Sequence, residues 1–185
     1  MSTHFFMIMN DVWQPNFDWI DEQLAVGGSF PATQAALLAA MHGIDAVIDL
    51  RQEDRDDEQV LLAHGISLLH LPTEDMCGLD PGQLDDGVRF ACQWLDGGRR
   101  VLIHCEHGIG RSATLALCVL VQRGSSPLDA LARLKDRRSL VSPSPAQFAC
   151  WQEWLERFRP HHRVSWTTPS FDDFQRIAYR HLRTT

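Results

Sequence analysis

Between Val101 and Val121 the sequence reads VLIHCEHGIGRSATLALCVLV. A β-branched apolar run stops at His104 and Cys105, glycines follow at 108 and 110, and Arg111 and Ser112 open a second apolar run at helical spacing. A strand, a glycine-bearing loop and a helix in that order form a cradle for phosphate. Successive backbone N–H groups point inward, and the helix N-terminus adds partial positive charge. The nucleotide-binding version of such a loop needs GxxxxGK[ST], and no lysine follows Gly110. Here Cys105 holds the first position of the loop and Arg111 the last, with five residues between them. That span lets a tight loop bring both side chains to one anion.

A cysteine under a helix N-terminus and several N–H donors has a stabilised thiolate, so its pKa falls below the ~8.5 of a free cysteine. Such a sulfur is a nucleophile at neutral pH. The planar fork of Arg111 can grip two phosphoryl oxygens, which a lysine could not do. The loop N–H groups and Arg111 stay engaged as charge spreads over a phosphoryl group in transfer. The product of that step is a covalent cysteinyl-phosphate. Read as a mere structural thiol, Cys105 leaves the glycines and the arginine at this spacing unexplained.

Other segments must hold this loop in place. LAVGG (24–28) reads as a short strand, IDAVIDL (44–50) as a buried strand, and ISLLHLP (66–72) as a strand closed by its proline. PATQAALLAAMHG is a helix with Pro31 in its first turn and Gly43 at its end. RQEDRDDEQVLLAHG is expected to become a helix that stops near Gly65; its charged start reads as solvated, with Arg51 and Arg55 as weaker candidates for substrate contact. TEDMCGLDPG is a loop with turn chemistry at its end. QLDDGVRFACQWLDGG is an amphipathic helix with Leu84, Val88, Ala91 and Leu95 on one face. Two further helices carry Ser126–Pro127 and Ser144–Pro145 as N-cap and first residue. Ser144 and Gln147 are weighed as holders of a hydrolytic water, a role that capping and packing explain equally well, and Trp151 and Trp154 read as core. Strands that are continuous apolar runs and alternate with helices predict an α/β fold. Its central, mostly parallel sheet of four to five strands is flanked by helices on both faces. The expected organisation is a lead-in over 1–23 with scattered aromatics (Phe5, Phe6, Trp13, Phe17, Trp19), one domain over 24–158, and an appendage over 159–185 with a short helix opened by Ser170.

The chain has 185 residues, 44% of them hydrophobic, and a net charge of -7. The size fits one domain with a full core. The charge argues against a general nucleic-acid binder, because no global positive field exists. No apolar run approaches bilayer length, and the N-terminal FFMIM is too short for a signal-peptide core, so a cytoplasmic protein is expected. Five cysteines (Cys77, Cys92, Cys105, Cys118, Cys150) are odd in number and widely spaced. They fit neither a disulfide framework nor a zinc site. No metal-ligand cluster is visible, and neither metal nor other cofactor is expected.

HCEHGIGRS resembles the His-Cys-x5-Arg-Ser/Thr signature of cysteine-dependent protein tyrosine phosphatases, specifically their dual-specificity branch. LAVGGSFP, GIDAVIDL, HLPTEDMCGLD and RRSLVSPSPAQF resemble further blocks of small dual-specificity phosphatases in the same order, over roughly Leu24 to Phe158. The resemblance implies that fold and makes Cys105 the nucleophile. The amides of Glu106, His107, Gly108, Ile109, Gly110 and Arg111 would bind phosphate together with the Arg111 side chain. Ser112 would assist the thiolate as leaving group, and His104 would hold the loop and tune the cysteine. It also implies an aspartate general acid on a mobile loop about thirty residues upstream; Asp75 has the matching position, with Glu74 and Asp80 as runners-up. Cys77, two residues on, reads as a passive loop thiol, with a regulatory disulfide to Cys105 as the alternative. The implied partner is a phosphorylated protein carrying phosphotyrosine, phosphoserine or phosphothreonine. A phospholipid such as phosphatidylglycerophosphate or a phosphoinositide is the alternative substrate. Glu106 within the loop counts against a highly charged head group, while EDMCGLD is similar to the acid loop of the mitochondrial-type phosphatidylglycerophosphate phosphatase. A pseudophosphatase that binds phosphate without turnover would lack the cysteine, arginine or acid, and all three are present. Rhodaneses and arsenate reductases share a cysteine loop but not the surrounding blocks.

Overall fold

Alternation along the strands sets the layers. Leu24 and Val26, Ala46 and Ile48, and Val101 and Ile103 belong to one buried cluster, while Ala25, Val47 and Leu102 between them belong to another. Successive side chains of a strand point to opposite faces, so each face of the sheet carries its own core. The computed structural model describes residues 13–182; the lead-in residues Phe5 and Phe6 and the FFMIM stretch lie outside the described residues. The sheet has five strands in the order β1-β2-β5-β3-β4. They are β1 (Phe17–Trp19), β2 (Leu24–Gly27), β3 (Ile44–Arg51), β4 (Ser67–Thr73) and β5 (Arg100–His104). β1 pairs antiparallel with β2, and the other pairings are parallel. β5 lies between β2 and β3, so its carboxyl end at His104 opens in the middle of the sheet's edge. In such sheets ligands bind at the carboxyl ends of the strands.

Helices α1 (Ala35–His42) and α2 (Glu58–Ala63) cover one face through Leu38 and Leu61. The other face is covered by α3 (Pro81–Asp96), α4 (Arg111–Gln122), α5 (Pro127–Arg137) and α6 (Pro145–Phe158). Every residue of α4 from Arg111 to Val121 is buried. A helix apolar all round belongs inside, and α4 packs on β5, α3, α5 and α6. No helix among the described residues is long and apolar enough to cross a membrane.

Two elements depart from the sequence reading. Residues 51–57 do not form the start of a helix: α2 begins only at Glu58, with Asp57 Oδ1 accepting the Gln59 and Val60 N–H groups. The acidic residues around it converge on the Arg51 guanidinium instead, which donates to Asp49, Asp54 and Asp56 and so holds the chain in a loop. The lead-in also contributes a strand, β1, whose three residues are too few to show a period.

Past α6, Ser170 opens α7 (Phe171–Ala178), its Oγ accepting the Asp173 N–H. Phe174 is 0% exposed. Its ring centroid lies 4.8 Å from Phe148, 6.1 Å from Trp151 and 5.8 Å from Tyr179. Tyr179 Oη donates to the Pro143 carbonyl at 2.6 Å. The sole lysine, Lys135, is buried with Nζ 2.6 Å from the Val141 carbonyl and 2.8 Å from His181 Nδ1; burial pulls its pKa down to about 8. α7 is thus bolted to α5, α6 and the loop between them. Phe174→Ala is expected to lower the unfolding free energy by about 3–5 kcal/mol, the usual cost of removing a buried phenyl ring. A urea titration reads this as a lower midpoint at unchanged slope. A shift worth less than about 1 kcal/mol would mean that α7 rests loosely on its neighbours.

Candidate active site

The loop from Cys105 to Arg111 is shaped from outside. The Glu106 carbonyl accepts the Ser29 N–H, and the His107 and Gly108 carbonyls accept Nη2 and Nε of the buried Arg138. The Ile109 carbonyl accepts the Ser142 N–H, and the Gly110 carbonyl accepts from Thr114. In a planar trans peptide the N–H points opposite to the preceding C=O. Five carbonyls tied outward therefore turn the amides of His107, Gly108, Ile109, Gly110 and Arg111 toward one centre. Arg138 in turn is anchored to Asp18 and Asn16 in the lead-in. Gly108 takes φ +69°, and a Cβ there would collide with the Gly27 backbone, so the loop presses directly on the end of β2.

Cys105 Sγ sits at that centre, 3% exposed as a residue. It accepts the Gly108 N–H at 3.3 Å and lies 3.4 Å from Ser112 Oγ. Burial pushes its pKa up. The Ser112 hydroxyl and amide, the Gly108 amide and the Arg111 charge outweigh it, and the thiol titrates below its ordinary value.

Arg111 is 1% exposed. Its Nη1 and Nη2 donate to the two Glu53 oxygens at 2.8 and 2.7 Å, and Nη1 also donates to the Thr73 carbonyl at 2.8 Å. This bidentate pair holds Glu53 down to about 2. Of the five guanidinium N–H groups, those on the Nε–Nη2 edge are left. Nε is buried with no partner among the described residues, and Nη2 lies 3.3 Å from Asp75 Oδ1. The open edge of the fork, side-on rather than end-on, can take two oxygens of a phosphoryl group.

Asp75 reaches over the cradle from the loop between β4 and α3, its side chain 63% exposed. The next residue, Met76, adopts φ +62°, an uncommon conformation for methionine, and the Ser144 hydroxyl fixes its carbonyl at 2.6 Å. Glu74 is exposed on the same loop. Asp80 is the N-cap of α3, where Gln83 reaches back to its N–H. That position makes Asp80 a capping residue, and unlike Glu74 and Asp75 it does not line the cleft. A cleft of about 470 Å³ opens above, lined by Gln52, Glu53, Glu74, Asp75, Glu106 and His107.

Beneath the cradle lies a buried ionic cluster. His104 is fully enclosed, its Nε2 2.8 Å from Asp56 Oδ2 and its Nδ1 3.3 Å from the Cys105 carbonyl. Burial opposes the charged ring, but Asp56 and Asp49 outweigh it and raise its pKa. Arg51 joins both carboxylates, with bonds of 3.0 Å to Asp49 and 2.7 Å to Asp56. Asp49, Asp56 and His104 place ligand-type atoms within 4.8 Å of one another. The Arg51 guanidinium already supplies the cation those carboxylates need, so the donor set does not call for a metal.

The structure brings together Cys105, Arg111, Ser112, His104, Asp75 and the loop from Glu106 to Gly110. It adds three residues that the sequence reading passed over, Glu53, Asp56 and Arg138, and it gives Arg51, a candidate for substrate contact, a buried place between Asp49 and Asp56 instead. Two signals were available. Asp49 interrupts an apolar strand, and a charge there must be paired. RQEDRDDE follows a parallel strand directly, which places it at the site's edge.

The chain is similar to known phosphatases. The Tc-R-P family model, polymorphic toxin system DSP-PTPase phosphatase, matches residues 6–125. Phosphatidylglycerophosphatase and protein-tyrosine phosphatase 1 of Rattus norvegicus is 35% identical over 92 residues, 49% of this chain and 48% of that protein. Dual specificity protein phosphatase 1 of Mus musculus is 31% identical over 123 residues, 65% of this chain and 32% of that protein. The chain spans about half or less of the length of these curated relatives. The crystal structure of PTPMT1 in complex with PI(5)P superposes with a TM-score of 0.73 at 23% identity, covering 78% of this chain and 97% of that one. At that identity the likeness is one of fold.

The His104 cluster has a pH signature. Its folded pKa is raised above the ~6.5 of an unfolded histidine. The stability it contributes is therefore fully present below about pH 6.5 and is lost as pH rises through the folded pKa. Asp56→Asn is expected to flatten that decline, besides lowering stability at all pH values. Urea midpoints at several pH values between about 5.5 and 9 check this. An unchanged slope would show that His104 and Asp56 are not coupled.

Proposed function

The chain belongs to the family of DSP-PTPase phosphatases whose model its residues 6–125 match, and on that premise we propose that it hydrolyses phosphate monoesters of proteins through a cysteinyl-phosphate intermediate. The observation that carries this reading is the pairing of a buried Cys105 sulfur, its pKa lowered by the Ser112 hydroxyl and by N–H donors, with an Arg111 edge that has no partner at Nε among the described residues. A lone buried thiol has its pKa raised, as Cys118 does.

In the first step the Cys105 thiolate attacks phosphorus, and the bond to the ester oxygen breaks. The electron pair leaves with that oxygen, and the Asp75 carboxyl supplies its proton. Amides 107–111 and the Nε–Nη2 edge of Arg111 hold the three equatorial oxygens. In the second step water attacks phosphorus and gives its proton to the Asp75 carboxylate. The S–P bond breaks, and the electron pair returns to a sulfur that Ser112 stabilises. The net reaction is ester plus water to alcohol plus phosphate. Glu53 grips the far side of the guanidinium and keeps its plane fixed through both steps.

Support for a protein substrate comes from the match to the mouse dual-specificity phosphatase, which extends over 65% of the chain. A phospholipid substrate is the second reading. It is favoured by the match to the rat protein, whose name carries both activities.

Cys105→Ser is expected to abolish turnover while the fold and tungstate or vanadate binding survive, since a hydroxyl is a far poorer nucleophile. Residual phosphatase activity in a clean preparation would exclude the covalent route. For Asp75→Asn the expected fall in kcat is about a hundredfold or more with phosphoserine esters. With an aryl ester of a very acidic phenol the fall should be slight, because that leaving group needs no proton. Comparison of the two substrates tests the assignment, and Glu74→Gln reproducing the same pattern in its place would shift the acid by one residue.

A further inference from the structure

The mouth of the site carries charge of the wrong sign for a bare phosphate. Of the six residues lining the cleft, Glu53, Glu74, Asp75 and Glu106 are carboxylates and His107 is the one able to carry positive charge; Glu53 is matched by Arg111 and Asp75 is protonated for the first step, so Glu74 and Glu106 carry the negative charge of the mouth. Asp54, 69% exposed, adds a further carboxylate beside Arg51. The cations close by are buried and already matched. Arg51 and His104 face Asp49 and Asp56, Arg138 faces Asp18, and the charge of Arg111 is met end-on by Glu53. Glu106 does approach Arg51 at 3.7 Å, but it shares that guanidinium with Asp54 at 3.0 Å. Below this acidic rim the Arg111 Nε is buried without a partner among the described residues, so the cradle still presents a donor edge to an oxyanion. An anion-binding floor under an anionic mouth selects a ligand that is a phosphate at one point and cationic around it.

We infer that the substrates are phosphopeptides with arginine or lysine flanking the phosphorylated residue, whose basic side chains engage Glu74 on the β4–α3 loop and Glu106 on the loop after β5. This inference rests on the phosphatase reading and narrows its substrate class. The physical reason is that a dianionic phosphate approaching Cys105 must cross the field of the rim, and neighbouring positive charge on the same chain cancels that cost. A substrate whose phosphate sits among further phosphates, or on an anionic membrane surface, brings only more repulsion. Exposed ion pairs are individually weak, so discrimination is expected to accumulate over two or three contacts and to fade with salt.

The test uses the full chain and three kinds of substrate under identical conditions. The first is p-nitrophenyl phosphate, small and without flanking charge. The second is a pair of phosphotyrosine peptides of equal length, flanked by arginines in one and aspartates in the other. The third is phosphatidylcholine vesicles containing phosphatidylglycerophosphate. At low ionic strength kcat/KM for the basic peptide is expected to exceed that for the acidic peptide about tenfold or more, and the ratio should shrink several-fold near 0.5 M salt. Glu74→Gln and Glu106→Gln should each reduce the ratio about two- to fivefold, and Glu74→Lys should reduce it further. Both side chains are solvent-exposed or half-exposed, so these variants are expected to fold. Equal turnover of the two peptides, a preference for the acidic one, or vesicles as the best substrate, with p-nitrophenyl phosphate still hydrolysed, overturns the inference alone. Failure to hydrolyse any of the three would overturn the phosphatase reading and this inference with it.

Discussion

Five consecutive carbonyl groups have to find donors, and they find them on the outside. That requirement shapes everything near Cys105. Ser29 behind β2, Arg138 after α5, Ser142 before α6 and Thr114 in α4 each supply a donor. Because peptide groups are planar, satisfying the carbonyls outward commits the N–H groups inward. The sheet order then matters less for its own sake than for bringing these four donors around one loop.

The same logic extends to charge. A thiolate in a nearly closed site, an arginine 1% exposed and a histidine with no exposure would each be costly alone. Each is matched: Cys105 by N–H dipoles and Ser112, Arg111 by Glu53, His104 by Asp56. Arg51 then ties the last of these to Asp49 within β3. Removing one partner of such a pair leaves an uncompensated buried charge, so these residues stand or fall together. Support for Asp75 comes from further away. Ser144 holds the Met76 carbonyl, Pro143 beside it receives the Tyr179 hydroxyl, and Tyr179 belongs to the segment that Phe174 anchors.

Much of this was legible in the residues. Periodicity and punctuation located β2 to β5 and the helices, because each is long enough to show a pattern and most carry a capping serine or proline. Cys105 and Arg111 were legible because local spacing alone fixes their relation. Asp75 was reached by resemblance, and Asp80 was separated from it only by seeing the cap at α3. Glu53 and Asp56 were legible only through their place after a parallel strand, and Arg138 was not legible as a site residue. They lie 52, 49 and 33 positions from Cys105 in the chain, as the numbering shows, and their roles depend on which strand ends become neighbours. A charged run that looks solvated by composition turned out to be folded around a buried guanidinium. β1 was missed for a simpler reason, its length.

The meeting of Gly108 with Gly27 limits how this site can change over time. A clash between side chains can be relieved by a smaller partner elsewhere. Here both participants are backbone, and both already lack a Cβ. No second substitution at either position can restore room lost by a first. The floor of the cleft is therefore frozen at one size, and descendants of this chain that acquire new preferences must do so by exchanging residues around the opening, such as the exposed Glu74.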